Sequence, residues 1–342
     1  WKLIRIDSIK IEAPNDILSD IDISCFDQQI IKDTTSGQIK SNLLKLNDES
    51  KKVGLNSILI NEKKNTVIMT LSSKILKENY FELININTVG QVFDEINKTG
   101  IIKIDDSQAN NIIIHSADFT TNLKGTKQPK DYIQALQLMS LNSNYIVTPY
   151  TGTGQDKNKN GIVFRGRQKS FKERCIMYHK FDEIIKDKDF IKSLKSPLPV
   201  VNSFKDILRM ENNITSHKKI REYTLTDNNL MSVLNSTAIL PNYKLFKKIK
   251  NLSGVQTDLF NYDPDIPFNK IRTQKGDETI IKELNFDMSL IRELIQKHVK
   301  GKVSNYVKDF RKTANDMLNN KDIAGQSEND LINEFENLLK VA

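Results

Sequence analysis

Tyr178, near the end of a strand-like run, is the side chain in this sequence best placed to act as a nucleophile. The stretch from Gly161 to Glu183, GIVFRGRQKSFKERCIMYHKFDE, sets a basic turn between two strand-like runs and closes on Tyr178, His179, Lys180, Phe181, Asp182 and Glu183. A phenol with a lysine two positions on and a glutamate five positions on has the composition of a group that attacks a phosphodiester. Two further runs carry polar residues of matching kinds: Asp118 in HSADFTTN, and Arg209 with Glu211 in ILRMENNI. Side chains alternate along a strand, so Ser116 shares a face with Asp118, Arg174 with Tyr178 and Lys180, and Arg209 with Glu211 and Asn213. If the three strands are neighbours, these faces converge. If they are not, Tyr178 is an ordinary sheet tyrosine and the charges are solvated.

Other chemistries lack their signatures. His115, His179, His217 and His298 include no close ligand pair, so zinc spacing is absent, and neither a phosphate-binding GxxxxGK[ST] loop nor a nucleophile-elbow sequence occurs. Asp156 to Gly161 copies the first six positions of a calcium-binding EF-hand loop, but Arg167 stands where the bidentate glutamate belongs. A solvated hairpin turn is the better reading.

The elements that would position these residues can be read from apolar spacing. Ile4 and Ile6, then Ile9 and Ile11 after a one-step slip, predict a half-buried strand with a bulge, and further strands are predicted at 54–60 and 65–72. Val89, Val92, Phe93 and Ile96 have helical spacing closed by Gly100, the start of a βαβ-like or split α+β unit. A strand over 111–119, a helix over 129–141 opened by Pro129, and short strands at 144–148, 162–165 and 174–178 suggest a meandering antiparallel sheet. A strand over 206–214 follows. Beyond it the chain reads as mainly helical, at 226–235, 243–251, 288–316 with Lys and Arg on the outer face, and 328–339. The fold class is therefore α+β: a central, mainly antiparallel sheet flanked by helices, with residues 1–250 carrying the sheet and 251–342 forming a helical C-terminal region.

The chain has 342 residues, with 51 Lys and Arg against 43 Asp and Glu, and the resulting charge of +8 favours a polyanionic partner. Two widely separated cysteines, Cys25 and Cys175, argue against a disulfide framework and for a reducing compartment. No stretch is apolar for long enough to span a bilayer and the N-terminus alternates like a strand, so no membrane association and a cytoplasmic setting are expected.

In order, these motifs resemble the replication initiators of the filamentous-phage gene II type and, more loosely, the rolling-circle initiators of staphylococcal-type plasmids. The matching elements are the acidic strand IIIHSADFTTNL, the Tyr-x-Lys-x-x-Glu segment at Tyr178, Lys180 and Glu183, and the Arg-hydrophobe-Glu strand at Arg209, Met210 and Glu211. The basic approach FRGRQKSFKE is also similar to the plasmid members. The resemblance runs from about Asn65 to about Lys250. It departs at Ser116-Ala117-Asp118, where members read Arg-hydrophobe-Asp, and at His179, where plasmid members often have Asn or Asp.

The resemblance implies metal-dependent, site-specific nicking and rejoining of one DNA strand at a rolling-circle origin, through a 5′-phosphotyrosyl link on Tyr178. Lys180 would stabilise the phenolate or the charge at phosphorus. Mg²⁺ or Mn²⁺ would be held by Asp118 and Glu211, with Glu183 or Glu173 as a third ligand; Glu173 is the weakest of these because strand parity turns it away from Tyr178. Arg165, Arg167, Lys169, Lys172 and Arg174, with Arg209, would contact DNA, largely through its backbone. Origin DNA, a helicase and a polymerase of a bacterial host, and a second copy of the chain are the implied partners. Two rival readings remain: an origin- or operator-binding protein that does not cut, and a relaxase serving mobilisation.

Overall fold

The computed structural model describes residues 3–32, 39–139, 141–142, 144–150, 161–167, 173–238, 240–250, 288, 292, 303–319 and 328–342. Its strands are β1 (Ile6–Pro14), β2 (Leu18–Ile21), β3 (Phe26–Lys32), β4 (Ile39–Leu46), β5 (Leu55–Asn61), β6 (Thr66–Ser72), β7 (Ile102–Ile104), β8 (Ile113–Leu123), β9 (Tyr145–Pro149), β10 (Gly161–Gly166), β11 (Glu173–His179) and β12 (Leu208–Ile214). The helices are α1 (Val89–Lys98), α2 (Pro129–Leu138), α3 (Lys180–Ile184), α4 (Lys188–Ser193), α5 (Pro197–Asn202), α6 (His217–Thr224), α7 (Leu230–Leu234), α8 (Pro241–Ile249), α9 (Val303–Asn319) and α10 (Glu328–Val341).

A single 10-stranded sheet runs in the order β3-β4-β5-β6-β1-β8-β12-β11-β10-β9, and all of its pairings are antiparallel. The α+β class expected from the sequence is the one observed. No parallel pair occurs among the described strands, so α1 is not a βαβ crossover: β7 after it pairs antiparallel with β2 outside the main sheet.

Local sequence explains most of these elements. In β6, buried Val67, Met69 and Leu71 alternate with half-buried Thr66, Ile68 and Thr70, the period of a strand with one face on a core. In α1, Val89, Val92, Phe93 and Ile96 are buried at helical spacing, and Gly100 just beyond the helix takes a φ of 75° that ends it cheaply. Pro129 opens α2, where its missing N–H costs no hydrogen bond. The helix read over 226–235 is shorter, because the Asn229 side chain accepts from the Ser232 N–H and starts α7 there.

One face of the sheet packs against α2, α8 and α10. Asn242 of α8 donates to the Met210 carbonyl at 3.0 Å and to Thr121 Oγ1 at 2.9 Å, and Phe246 meets Phe335 of α10 edge-on with centroids 5.0 Å apart. Leu331, Ile332, Phe335 and Leu339 of α10 belong to the same apolar core as the sheet. Complete burial of Phe335 alone is worth roughly 1.5–3 kcal/mol. The opposite face carries a smaller core of Tyr80, Ile184, Phe190, Phe204 and Ile207, contributed by the segment Ser73–Glu82 and the connections through α3, α4 and α5. The polar faces of β8, β12 and β11 lie on this second side. Among the described residues no helix is long and apolar enough to cross a membrane.

Candidate active site

β8, β12 and β11 are consecutive in the sheet, so the three polar faces converge as their alternation predicts. Tyr178 lies opposite Arg209, and Arg209 opposite Asn122. The Tyr178 hydroxyl donates to Glu211 Oε1 at 2.5 Å, and the Lys180 ammonium donates to the same phenol oxygen at 3.3 Å. On the other side of β11, Gly161 pairs with Tyr178. A Cβ there would stand 2.6 Å from the Met177 carbonyl oxygen and 2.7 Å from Tyr178 Cβ, so only glycine fits against the tyrosine. The Tyr150 ring, just past β9, lies over Tyr178 with centroids 5.4 Å apart and planes at 34°.

Lys180 reaches the phenol by a different route from the one its spacing suggested. It is not on the strand but opens α3, where its backbone N–H bonds to the Ile207 carbonyl at 3.1 Å and the chain turns. Its side chain runs back beneath Tyr178, is 1% exposed, and pairs with Glu183 one helical turn on. Glu183 also faces Lys74 at 3.4 Å, and Lys74 holds Asp187 at 2.6 Å.

Arg209 was expected to contact DNA, but it is completely buried and holds the floor of the site. Its Nη1 lies 3.1 Å from Asp7 Oδ2, 3.9 Å from Glu211 Oε1 and donates to the Tyr80 hydroxyl at 3.0 Å, while its Nε donates to Asn122 Oδ1 at 2.8 Å. Ser73 donates to the other Asp7 oxygen. The register of β1 against β8 shifts between Ile6 and Ile9, leaving Asp7 on the opposite face from those two core isoleucines. Asp7, Tyr80, Asn122, Lys74 and Tyr150 were not foreseen as site residues. The slip in the N-terminal isoleucine pattern was the one sequence signal that pointed towards Asp7.

Charges in this pocket bias each other. Burial, then the Asp7 charge, pushes the Glu211 carboxyl up to about 8, against the opposing pull of Lys180 and Arg209. Burial would raise Asp7 as well, but Arg209 and Lys180 outweigh it and hold that carboxyl well below the usual carboxylate range. For Glu183 too, burial is outweighed by Lys180 and Lys74, and its carboxyl is lowered. Burial and the neighbouring Glu211 keep the Tyr178 phenol neutral well above its ordinary range. A neutral phenol is thus hydrogen-bonded to a carboxyl that changes charge near neutrality, with a cation on its other side.

The expected metal ligands do not gather. Asp118 pairs with Asn213, whose Nδ2 donates to it, and that rung also contains Arg174, four residues along β11 from Tyr178. Burial raises the Asp118 carboxyl. Glu183 is committed to two lysines, and Glu211 to Tyr178 with Arg209 beside it. Among the described residues no three Asp, Glu, His or Cys side chains form a group that could hold a metal ion. Mg²⁺ and Mn²⁺ want several oxygen donors around one point, and Asp118, Glu211 and Glu183 as placed do not supply it. Glu173 is further still: on the opposite face it accepts from Tyr145 at 3.0 Å and Tyr223 at 2.8 Å.

Of the basic series, Arg165, Arg167 and Arg174 are exposed. Arg165 lies directly opposite Arg174 on the same face as Tyr178, roughly 13 Å away along the strands. Like charges placed opposite each other are unfavourable unless an anion lies between them. Lys169, Lys172 and the turn 156–160 lie outside the described residues. No protein-family model and no curated protein matches this chain.

Proposed function

We propose that the chain nicks and rejoins DNA, with Tyr178 as the nucleophile, at an origin of rolling-circle replication. The observation that carries this reading is the clamp on one phenol oxygen, a hydrogen bond to Glu211 Oε1 at 2.5 Å and one from Lys180 Nζ at 3.3 Å. Tyr178 Oη attacks phosphorus and its proton passes to the Glu211 carboxylate. The bond from phosphorus to the 3′-oxygen breaks, and that oxygen takes up a proton to leave a 3′-hydroxyl. Lys180 offsets the negative charge that develops on the phenol oxygen and the phosphoryl group. The product is a 5′-phosphotyrosyl ester, which conserves the energy of the phosphodiester, so the reverse attack by a 3′-hydroxyl reseals the strand without ATP.

Arg165 and Arg174 extend the same face as a basic track for the strand backbone. A polymerase would extend the free 3′ end and a helicase would displace the strand. Because the donor set does not gather a divalent ion, no step is assigned to one. A specific observation favours the second reading, a DNA-binding protein that does not cut: Tyr178 is 5% exposed, and the Tyr150 ring covers it. Under the nicking reading, Tyr150 must therefore move when DNA arrives.

The test is covalent trapping on single-stranded oligonucleotides and supercoiled plasmids carrying candidate origins, with Mg²⁺, Mn²⁺ or a chelator. Wild type should leave a protein–DNA adduct on a denaturing gel, and Tyr178→Phe should bind but leave none. An adduct with the Phe variant would remove Tyr178 as nucleophile. Binding by wild type with no adduct under any metal condition would replace the enzyme with the binding protein.

A further inference from the structure

On the face of the sheet opposite Tyr178, at the β9 edge, Arg292 and Arg311 line one cleft with Gln137, Val147, Pro149 and Ile162. The register fixes the side: Gly161 and Thr148 fall in the alternation of Tyr178, whereas Ile162 and Pro149, opposite each other, fall in the other. The sequence pattern had put the Lys and Arg residues of 288–316 outward. Lys308 and Lys312 are indeed exposed, but Arg292 and Arg311 are partly buried at the cleft.

Their surroundings are incomplete. Arg311 Nε is buried and has no hydrogen-bond partner, and Gln137 Oε1 in the same cleft is also unpartnered. Burial, then the like charge of Arg292, pushes the Arg311 guanidinium down to about 10. No carboxylate of the described residues pairs with either arginine. Two neighbouring guanidinium ions, partly withdrawn from water and with no carboxylate partner among the described residues, favour an anion between them. Guanidinium forks match the oxygens of a phosphate group in pairs, and the Gln137 amide can turn to add a donor.

We propose that Arg292 and Arg311, with Gln137, form a phosphate-binding site. The phosphate group comes either from a small ion or monoester or from the backbone of a nucleic acid strand passing the β9 edge. The site does not depend on the role of Tyr178 and has its own readout.

The experiment compares the full chain with Arg292→Gln, Arg311→Gln, Arg311→Lys and the double Gln variant. Melting temperature is measured at fixed ionic strength in chloride with and without inorganic phosphate, and single-stranded oligonucleotide binding is measured against salt. In chloride the Gln variants should melt no lower than wild type, because each loses an uncompensated charge. A free-phosphate site predicts a rise of roughly 2 °C in wild type at ten times the dissociation constant, lost in the double variant and reduced in Arg311→Lys. A backbone site predicts no such rise, but a salt slope shallower by about 0.7 for each phosphate that the double variant no longer neutralises. If neither readout differs between wild type and the double variant, or if Arg311→Gln and Arg311→Lys both melt lower than wild type in chloride, the arginines bind no phosphate and the assignment fails.

Discussion

Asp7 and Arg209 meet at 3.1 Å across the strand that separates β1 from β12. This pairing places a second carboxylate behind Glu211, and the Asp7 charge is part of what lifts the Glu211 carboxyl to about 8. Replacing Asp7 by Ala leaves Arg209 buried without its main counter-charge, and the fold should lose about 3–5 kcal/mol in denaturant titrations. Asp7→Asn, which keeps the shape, should lose less. In both variants the Glu211 carboxyl should titrate at lower pH, since a like charge has gone, and the pH profile of adduct formation should move down with it. A profile that stays in place would separate Asp7 from the chemistry.

Glu211 gives a pH signature with a definite sign. The folded protein holds the Glu211 proton up to about pH 8, against an ordinary value of 4.5. The proton-bound form therefore favours folding, and that contribution, complete below about pH 4, is lost as pH rises through 8. Adduct formation should run the other way, rising through pH 8 as Glu211 becomes the carboxylate that accepts the phenol proton. Glu211→Gln should melt higher than wild type at pH 9, with a smaller difference at pH 5, and should form adduct about 10²–10⁴-fold more slowly. Melts and single-turnover assays over that range check both halves.

Gly161 makes a steric prediction. An alanine methyl would press on the Met177 carbonyl and on Tyr178 Cβ, so Gly161→Ala should cost about 1–3 kcal/mol of stability. It should also slow adduct formation beyond what the stability loss explains, because the phenol shifts relative to Glu211. Full activity in a destabilised Gly161→Ala protein would show that the tyrosine position is looser than the register implies.

Arg165 and Arg174 should act through salt. Replacing both by Gln should weaken single-stranded DNA binding uniformly across sequences and flatten the dependence of log Kobs on log salt by about 0.7 for each phosphate left unneutralised. Melting temperature should hold or rise, since two like charges facing each other are removed. An unchanged salt slope would take the basic track off this face.

The sheet and the convergence of its polar faces were legible because in β8, β11 and β12 Asp118, Tyr178, Arg209 and Glu211 fall on one parity and most apolar residues on the other, a pattern that survives any packing around it. What fills the site was less legible. Asp7 reaches Arg209 only because β1 is inserted between β6 and β8, a choice of strand order that no local pattern encodes. Arg209 read as a surface residue because lone arginines are almost never fully buried. Its partners come from β1, β8 and the segment before α1, far apart in the chain. Lys180 read as a strand residue because α3 spans 5 residues, too few to show a helical period. β3 and β4 were missed because FDQQIIK and IKSNLLKL do not alternate, and in β3 every residue from Asp27 to Ile31 is exposed. The partners of the three acids proposed as metal ligands were illegible for a related reason: spacing showed the face that Asp118 and Glu211 take, but not that an asparagine would pair with Asp118 and lysines with Glu183.

The strand order has a consequence for how the molecule comes to exist. β1 precedes both of its neighbours, β6 and β8, in the chain, and β12, the last of the described strands, sits in the interior of the sheet between β8 and β11. Most of the pairings around the site therefore close long loops, the feature that slows folding of β-rich proteins. On a ribosome, Tyr178 emerges before the strand carrying Glu211 and Arg209, so a nascent chain would present a bare phenol with no proton acceptor beside it. Under the nicking reading, the tyrosine would gain its proton acceptor only on the arrival of β12.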